Sequence, residues 1–365
     1  MIPFFDYRPE LSRIADDIRG AIHRVLESGN LILGPEVEAF ETEFAGAMGA
    51  GGAVGVASGT DAIELALRAL DVGPGDEVIT SANAGVPPVA AIRASGATPV
   101  LVDVDPATLS IDPAAVRAAL GPRTACVLAI HLYGLPAALD ALLEVTRSAG
   151  VPLVEDCAQA HGALWDGRPV GTLGALGCFS FYPTKNLGAL GDGGLVLGND
   201  PGLLERVRRG RAYGWSPGTR NSETEGRNSR LDELQAAILR IKLPHLGAVN
   251  AERRALAGRY TELLGGVSAS IVDPLPKSVP VFHLYVIRCE QRSRWTDALD
   301  RAAIGYGVHY EQPVHTMGAY AFLGLGAGSL PHTEAACDSV LSLPLYPGLD
   351  ETVFERLGAA LGELR

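Results

Sequence analysis

One lysine stands out as a possible catalytic residue. The 365-residue chain contains three lysines, Lys185, Lys242 and Lys277, so a reaction that needs a lysine amine has few candidates. Lys185 follows an apolar segment that we predict to be a strand ending at Pro183, and a glycine-rich stretch up to Gly194 comes after it. An amine held in an apolar site loses its proton readily and can attack an aldehyde. Lys185 is therefore a candidate for Schiff-base chemistry.

A second stretch has the residue types of a phosphate site. Ser58, Gly59 and Thr60 follow the apolar run 53–57 and open a predicted helix that begins at Asp61. Free amides at a helix start, a glycine that permits close approach and a neighbouring hydroxyl together suit a phosphate group. The alternative is an ordinary helix cap, because Ser58 followed by Glu64 and an apolar run is a common start signal.

An acidic residue follows another predicted strand. Glu155 and Asp156 come directly after the apolar run 151–154. A carboxylate at a strand end can face a ring nitrogen and keep it protonated, although it could also be a solvated loop carboxylate. Gln159 could hydrogen-bond a ring substituent or satisfy the backbone. Phosphate cradle, acidic residue and lysine are together the three parts that a pyridoxal phosphate site requires.

The elements that must position these residues alternate along the chain. Apolar runs at 53–57, 78–80, 99–102, 126–130 and 151–154 predict strands, and the segments near 60–71, 84–95, 112–120 and 136–149 predict helices. Runs that are apolar throughout indicate a mostly parallel sheet covered on both faces, so the fold class is α/β. Ligands of such sheets bind at the carboxyl ends of the strands.

The two ends of the chain are predicted separately. An amphipathic helix over 11–25 and a second helix after Gly34 come first. A polar loop over 213–227 precedes a helical pattern over 230–264 that Pro244 interrupts. Beyond it we predict strands near 281–288, 307–310 and 342–345 and helices near 291–304 and 350–363. We expect a large domain over 1–243 and a smaller α+β domain over 244–365.

Composition excludes several classes of protein. The net charge of −12 argues against nucleic-acid binding, which usually needs a basic surface. No apolar run is long enough to span a membrane, and the first residues do not resemble a signal peptide, so we expect a cytoplasmic protein. The five cysteines lack the close pairs of a zinc or redox site, so we expect no metal.

The chain as a whole resembles a known family, the DegT/DnrJ/EryC1/StrS pyridoxal-phosphate sugar aminotransferases. The similarity covers nearly the whole length and rests on the strings at 32–37, 58–62, 75–79, 131–134, 155–162, 179–194, 228–233, 309–310 and 342–345. It implies the three-layer fold type I architecture of aspartate aminotransferase. It also implies a homodimer with composite active sites.

The resemblance assigns a role to each motif residue. Lys185 would carry the cofactor and act as general acid and base, and Asp156 would pair with the pyridine nitrogen. Gln159 would lie against the ring and its 3-hydroxyl. The phosphate would be bound by Gly59, Thr60 and Ser180 of one subunit, and Asn228 would reach the phosphate of the neighbouring subunit.

The chain departs from the family pattern at one position. Many members have an aromatic residue that stacks on the cofactor after the strand at 78–80, where this chain has Gly85 in the sequence 83–88. Either another aromatic residue replaces it, or small apolar groups cover that face of the ring. The substrate-binding candidates are Arg220 and Arg230, for a diphosphate, together with His309, Tyr310 and His315; each of them could also be an ordinary surface or supporting residue.

The implied function is transfer of an amino group from L-glutamate to a keto group, at C3 or C4, of a nucleotide-linked deoxysugar in amino-sugar and antibiotic biosynthesis. Amination of a free cyclitol ketone is an alternative. The dehydratases of the family have histidine in place of Lys185, which argues against dehydration. The chain lacks the glycine motif that a nicotinamide dehydrogenase requires, which argues against that class of enzyme. A non-catalytic regulator with the same fold is the alternative from another class.

Overall fold

The structure is a computed structural model that describes residues 1–216, 218–265, 267 and 269–362. Its strands are β1 Gly52–Val56, β2 Glu77–Ser81, β3 Thr98–Val102, β4 Thr124–Ile130, β5 Leu153–Asp156, β6 Leu164–Trp165, β7 Arg168–Pro169, β8 Leu176–Ser180, β9 Gly194–Gly198, β10 Ala269–Ile271, β11 Ser278–Val279, β12 Tyr285–Cys289 and β13 Val340–Leu343. Its α-helices are α1 Arg8–Arg13, α2 Ala15–Ser28, α3 Pro35–Met48, α4 Gly59–Ala69, α5 Val86–Ser95, α6 Pro113–Ala119, α7 Leu139–Ala149, α8 Pro201–Gly210, α9 Glu233–Lys242, α10 Leu246–Leu263, α11 Arg292–Arg301, α12 Pro331–Ser339 and α13 Thr352–Leu361. Short 3-10 helices lie at Leu132–Gly134, Leu243–His245, Val314–Thr316 and Gly318–Leu323.

The centre of the molecule is a seven-stranded sheet in the order β1-β9-β8-β5-β4-β2-β3. The pairs β2–β3, β2–β4, β4–β5 and β5–β8 are parallel, and β9 runs antiparallel to both of its neighbours. The predicted α/β class with a mostly parallel sheet is confirmed. Its strands are buried on both faces, as their continuous apolar sequences indicate.

Two apolar clusters cover the opposite faces of this sheet. One cluster joins α3 and α7 to the sheet, and its aromatic rings include Phe40, Phe44, Phe179 and Phe181. The other joins α4, α5 and α8 to the second face through aliphatic side chains. Because helices pack on both faces, the carboxyl ends of the parallel strands open at one edge of a rigid layer.

Several predicted boundaries differ from the structure. Strand β8 ends at Ser180 rather than Pro183, because 181–189 folds into a compact turn in which the Phe181 amide donates to the Gly193 carbonyl and the Ala189 amide donates to the Phe181 carbonyl. The predicted strand over 307–310 is wrong: this segment makes one isolated bridge, Gly307 to Ser342. Helices α8 and α12 were not predicted.

The pattern over 230–264 is a helix pair, as the interruption at Pro244 predicts. Helices α9 and α10 are joined by the 3-10 turn that contains this proline. Beyond α10, strands β10, β12 and β13 form a separate antiparallel sheet with its own apolar cluster. The chain's start joins that cluster, since Ile2 bridges to Ile304. The division at 243 and 244 remains a prediction.

The described helices were also compared with the requirements of a membrane span. None of them combines the length and the apolar character needed to cross a bilayer.

Candidate active site

A cavity of about 290 Å³ lies at the carboxyl ends of the parallel strands. Its wall brings together six of the residues that the sequence singled out, namely Gly59, Thr60, Asp156, Gln159, Ser180 and Lys185. Tyr310, a substrate-binding candidate, also lines it. The other lining residues are Ser58, Ile63, Ala84, Pro87, Pro88, Ile130, Leu132, Ala158, Tyr182 and Asp192. The cavity therefore combines a few convergent polar groups with a mainly apolar wall, as ligand sites do.

The start of α4 forms one end of the cavity. Ser58 caps the helix, and its Oγ accepts a hydrogen bond from the Asp61 amide at 3.1 Å. The amides of Gly59 and Thr60 belong to the first helical turn, where amides have no partner within the helix and the helix dipole favours an anion. Gly59 is required here, because a Cβ at this position would lie 2.6 Å from the Ser180 Cβ.

Lys185 extends into the cavity from the turn after β8. Burial lowers the pKa of its amine to about 8, and the negative charge of Asp156 opposes part of this shift. The turn is anchored by the next residue, since the Asn186 side chain donates to the Asn250 side chain and to the Val281 carbonyl, both at 3.0 Å. A lysine with a pKa this close to neutrality can both accept and release a proton.

Asp156 is the last residue of β5 and is buried at the cavity wall. Its Oδ1 accepts a hydrogen bond from the Ala158 amide at 2.9 Å, which fixes the carboxylate. Burial raises the pKa of Asp156, while the Ala158 amide, Lys185 and His131 act in the opposite direction. A positively charged ring nitrogen placed against this carboxylate would favour its ionised form.

Gln159 is oriented by a residue to which the sequence assigned no role. Its Oε1 accepts a hydrogen bond from the Tyr133 amide at 2.6 Å, which leaves its Nε2 to donate to the Tyr310 hydroxyl at 3.4 Å. Tyr133 adopts a φ of 63°, an uncommon left-handed conformation for a non-glycine residue. Tyr133 lies in the 131–134 string, so a motif signalled its importance but not its contacts.

Glu155, the neighbour of Asp156, belongs to the protein interior rather than to the cavity. Its carboxylate accepts hydrogen bonds from the amides of Gly171, Leu173 and Gly174 at 2.7 to 2.8 Å and from His131 Nε2 at 3.0 Å. His131 donates through Nε2 because its Nδ1 accepts from an amide at 3.0 Å. Cys157 comes within 4.8 Å of this pair, but the carboxylate is already engaged by four donors. The network supports the strand that carries Asp156.

Asn228 lies outside this cavity, at the base of an exposed two-stranded arm. Bridges from Ala212 to Asn228 and from Trp215 to Ser222 define the arm. Asn228 lines an adjoining cavity of about 480 Å³ that shares Asp192 with the first one. Asn228 does not line the cavity that contains Lys185 of the same chain. This position is compatible with the prediction that Asn228 serves a neighbouring subunit.

The two arginine candidates lie on the same side of the molecule as Asn228. Arg230 lines the adjoining cavity, and its Nε is buried without a hydrogen-bond partner among the described residues. Arg220 lies on the arm, with its guanidinium 5.9 Å from the Trp215 ring centre. Neither residue lines the first cavity.

The two histidine candidates make their observed contacts with other side chains of the protein. His309 stacks on Phe4 with ring centres 5.5 Å apart, and its Nδ1 hydrogen-bonds with Ser342 Oγ at 2.9 Å. Burial lowers the pKa of His309 to about 4, so it is neutral at physiological pH. His315 is fully buried and pairs with Glu334 at 2.9 Å. Neither histidine is among the residues that line the cavity.

The residues present suit pyridoxal phosphate. The first turn of α4, with the Ser58 and Ser180 side chains beside it, can hold a phosphate. The Lys185 amine can form a covalent bond to an aldehyde, and Asp156 can hold a protonated ring nitrogen. The absence of a side chain at Gly59 brings α4 and β8 together, so the phosphate cradle and the lysine belong to one site.

The comparisons with known proteins agree with this chemistry. The DegT/DnrJ/EryC1/StrS aminotransferase family matches residues 12–362. A Streptomyces venezuelae protein named dTDP-3-amino-3,4,6-trideoxy-alpha-D-glucose transaminase is 46% identical, over 96% of this chain and 92% of its own length. The erythromycin biosynthesis sensory transduction protein EryC1 of Saccharopolyspora erythraea is 45% identical, over 99% and 98% of the two chains. The crystal structure of S. venezuelae DesV in complex with a ketimine intermediate has a TM-score of 0.96 and 45% identity, and covers 99% of this chain and 98% of its own.

Proposed function

Since the chain belongs to the DegT/DnrJ/EryC1/StrS aminotransferase family, we propose that it transfers an amino group from L-glutamate to C3 of a dTDP-linked deoxyketosugar. The chain is an enzyme of the sugar aminotransferase class, as the S. venezuelae transaminase is. The observation that carries the proposed amino-transfer chemistry is the meeting of Lys185 and Asp156 with the start of α4 in one cavity. The name of the S. venezuelae relative, a dTDP-3-amino sugar transaminase, supports C3 and dTDP.

The proposed cofactor is pyridoxal phosphate, which when bound supplies an electron-withdrawing ring to the substrate carbon. The chain's own residues do the rest. The Lys185 amine accepts and returns the proton that moves during amino transfer, because its pKa of about 8 allows both states near neutral pH. Asp156 holds a proton on the ring nitrogen. The amides of Gly59 and Thr60 and the hydroxyls of Ser58 and Ser180 hold the phosphate.

The covalent role of Lys185 can be tested directly. Reduction of the yellow holoenzyme with borohydride should fix the cofactor on the peptide that contains Lys185, as mass spectrometry would show. The matched control is Lys277→Arg, which alters an exposed lysine paired with Asp140 and should leave this labelling unchanged. Label on Lys242 or Lys277 in place of Lys185 would contradict the assignment.

The reaction itself can be followed through the visible absorption of the cofactor. L-Glutamate should abolish the absorption band, and a dTDP-linked 3-ketosugar should restore it while the aminosugar accumulates. A 4-ketosugar and a free cyclitol ketone serve as competitors for the same step. Restoration by the cyclitol ketone alone would contradict the nucleotide-sugar assignment, and a stable band that glutamate never bleaches would favour a regulatory role.

We also propose that two copies of the chain form composite sites. Most described residues of the arm, 212–216 and 218–228, are exposed, and Asn228 lies beside the cavity without lining it. Arg227 and Ser229, on either side, are tied to α4: Arg227 donates to Glu64, and Ser229 Oγ donates to Asp61 at 2.6 Å. These contacts hold Asn228 in place while leaving its own side chain exposed to a partner.

Mixing two inactive variants tests this arrangement. If Asn228 serves the partner's cavity, equal amounts of Lys185→Ala and Asn228→Ala subunits should regain about a quarter of the original activity, because half of the random dimers would contain one intact site. The mixture should be assayed after dissociation and reassociation of the subunits. If Asn228 acts within its own chain, every site in the mixture lacks either Lys185 or Asn228, and mixing should restore no activity.

A further inference from the structure

Gly85 and Tyr310 lie next to each other, and Tyr310 lines the cavity. Gly85 caps α5 with a φ of 76°, and a Cβ added there would lie 3.2 Å from two ring carbons of Tyr310 and 3.4 Å from a third. These contacts are tighter than an ordinary side-chain contact. The missing side chain at Gly85 therefore makes the space that the Tyr310 ring fills.

Hydrogen bonds from two directions fix the Tyr310 ring. The Tyr133 hydroxyl donates to the His309 carbonyl at 2.6 Å, which holds the backbone just before Tyr310. The Gln159 amide, itself oriented by the Tyr133 backbone, donates to the Tyr310 hydroxyl at 3.4 Å. Tyr133 thus positions both the ring of Tyr310 and the side chain that hydrogen-bonds it.

The wall around Tyr310 supplies mainly aliphatic groups. Ala84, Pro87 and Pro88 line the cavity on the Gly85 side. Among the described lining residues, the aromatic side chains are Tyr182 and Tyr310, and Tyr182 is 52% exposed. Tyr310 is partly buried and faces the same space as Lys185 and Asp156. It is the better placed of the two rings to pack against a planar ligand held between these residues.

We propose that Tyr310 is the aromatic side chain that packs against the cofactor ring, and that Tyr133 and Gln159 are its positioning residues. The proposal rests on the proposed function, because it requires a planar cofactor in this cavity. In place of an aromatic residue at the start of α5, the C-terminal part of the chain supplies the ring, and Gly85 admits it. Tyr310 then acts on the cofactor rather than only on the substrate.

Cofactor affinity and visible circular dichroism test this role independently of turnover. Cofactor-free protein is titrated with pyridoxal phosphate, and the circular dichroism of the bound cofactor reports its orientation. Tyr310→Leu should weaken binding about tenfold and alter the dichroic band, since an aromatic pair contributes about that factor. Tyr310→Phe retains the ring and should stay within about twofold. Tyr7→Leu is the control for loss of an aromatic residue, because Tyr7 is an exposed tyrosine near the start of the chain.

The outcomes separate the inference from the function on which it rests. Unchanged affinity and dichroism in Tyr310→Leu would overturn the inference, as would equal losses in the leucine and phenylalanine variants, which would assign the effect to the hydroxyl. Failure of the unsubstituted chain to bind pyridoxal phosphate would instead contradict the proposed function.

Two further variants extend the test if Tyr310→Leu fails to fold. Gly85→Ala forces the ring to move while keeping it, and should alter the dichroic band and weaken binding about threefold. Tyr133→Phe removes the hydrogen bond to His309 and should change the band in the same direction. An unchanged dichroic band in both variants would overturn the assignment.

Discussion

Lys185 should titrate near pH 8 in the cofactor-free protein. Its amine extends into the cavity, and burial lowers its pKa from an ordinary value of 10.5 to about 8. The difference of about 2.5 pH units corresponds to about 3.4 kcal/mol of unfavourable free energy for holding the protonated amine in the folded state. The low number of lysines makes this measurable, since each of the three can be resolved by NMR.

The measurement uses protein labelled with carbon-13 at the lysine Cε, whose chemical shift follows protonation of the adjacent amine. The Lys185 signal is identified by its absence in Lys185→Met. It should titrate with a midpoint of about 8, whereas Lys277 should titrate above 10.5, because its ion pair with Asp140 raises its pKa. A Lys185 midpoint within half a unit of 10.5 would refute the reasoning.

The same shift predicts how stability depends on pH. Between pH 8 and 10.5 the unfolded chain keeps a proton on Lys185 that the folded chain has lost, so this group makes the folded state gain stability as the pH rises. Lys185→Met lacks the penalty at every pH. The variant should therefore be more stable than the original by up to about 3 kcal/mol near pH 7, and this advantage should vanish by about pH 10.5. Urea unfolding of the two cofactor-free proteins measures the difference.

Two other substitutions distinguish the structural role of Glu155, which supports β5, from the chemical role proposed for Asp156. Glu155→Gln replaces one carboxylate oxygen by an NH₂ group, which would face the N–H groups that now donate to Glu155, among them His131. The variant should lose about 3–5 kcal/mol of unfolding free energy. The control Glu144→Gln, at an exposed carboxylate, should cost less than about 0.5 kcal/mol; similar losses in both would contradict the account. Asp156→Asn should lower amino transfer at least about a hundredfold while the cofactor stays bound. It should also lower the pKa of Lys185 further, and a midpoint that stays near 8 would argue against their electrostatic coupling.

The sequence sufficed for the parts of the site that local patterns determine. Ser58 lies just beyond β1, and Asp156 and Ser180 are the last residues of β5 and β8. Parallel strands place their carboxyl ends at one edge of a sheet. The glycine beside Ser58 and the turn after Ser180 are local features as well. The family resemblance added the predicted roles of Gln159 and Asn228, whose chemistry alone left several possibilities open.

Elements that depend on distant partners could not be predicted. Helix α12 was missed because its first amides are capped by Asp103, which accepts hydrogen bonds from His332 and Thr333 at 3.0 and 2.7 Å. The N-cap residue itself, Leu330, has no side chain that could accept these two hydrogen bonds. For α8, by contrast, the signal was present and overlooked, since Asp200 caps the helix directly ahead of Pro201.

His315 shows that a segment can reach the cavity without each of its candidate side chains lining it. The segment that contains Tyr310 does reach the cavity, but His315 turns into the protein and pairs with Glu334. Glu334 also accepts hydrogen bonds from the Gly328 and Leu330 amides, so it organises a loop of the C-terminal part. A histidine near a site in sequence is therefore weak evidence for a ligand contact, since burial and one acidic partner can hold its ring inside the protein.

Gly85 and Tyr310 have to be interpreted together, and no local pattern relates them. At the level of sequence, Gly85 is a missing side chain and Tyr310 is one tyrosine among ten. In the structure, the space left by the first is filled by the second, and Tyr133 and Gln159 hold the ring there. An aromatic residue at position 85 would collide with Tyr310, so the two arrangements exclude each other. Restoring an aromatic residue at Gly85 should consequently weaken cofactor binding unless Tyr310 is made small in the same variant.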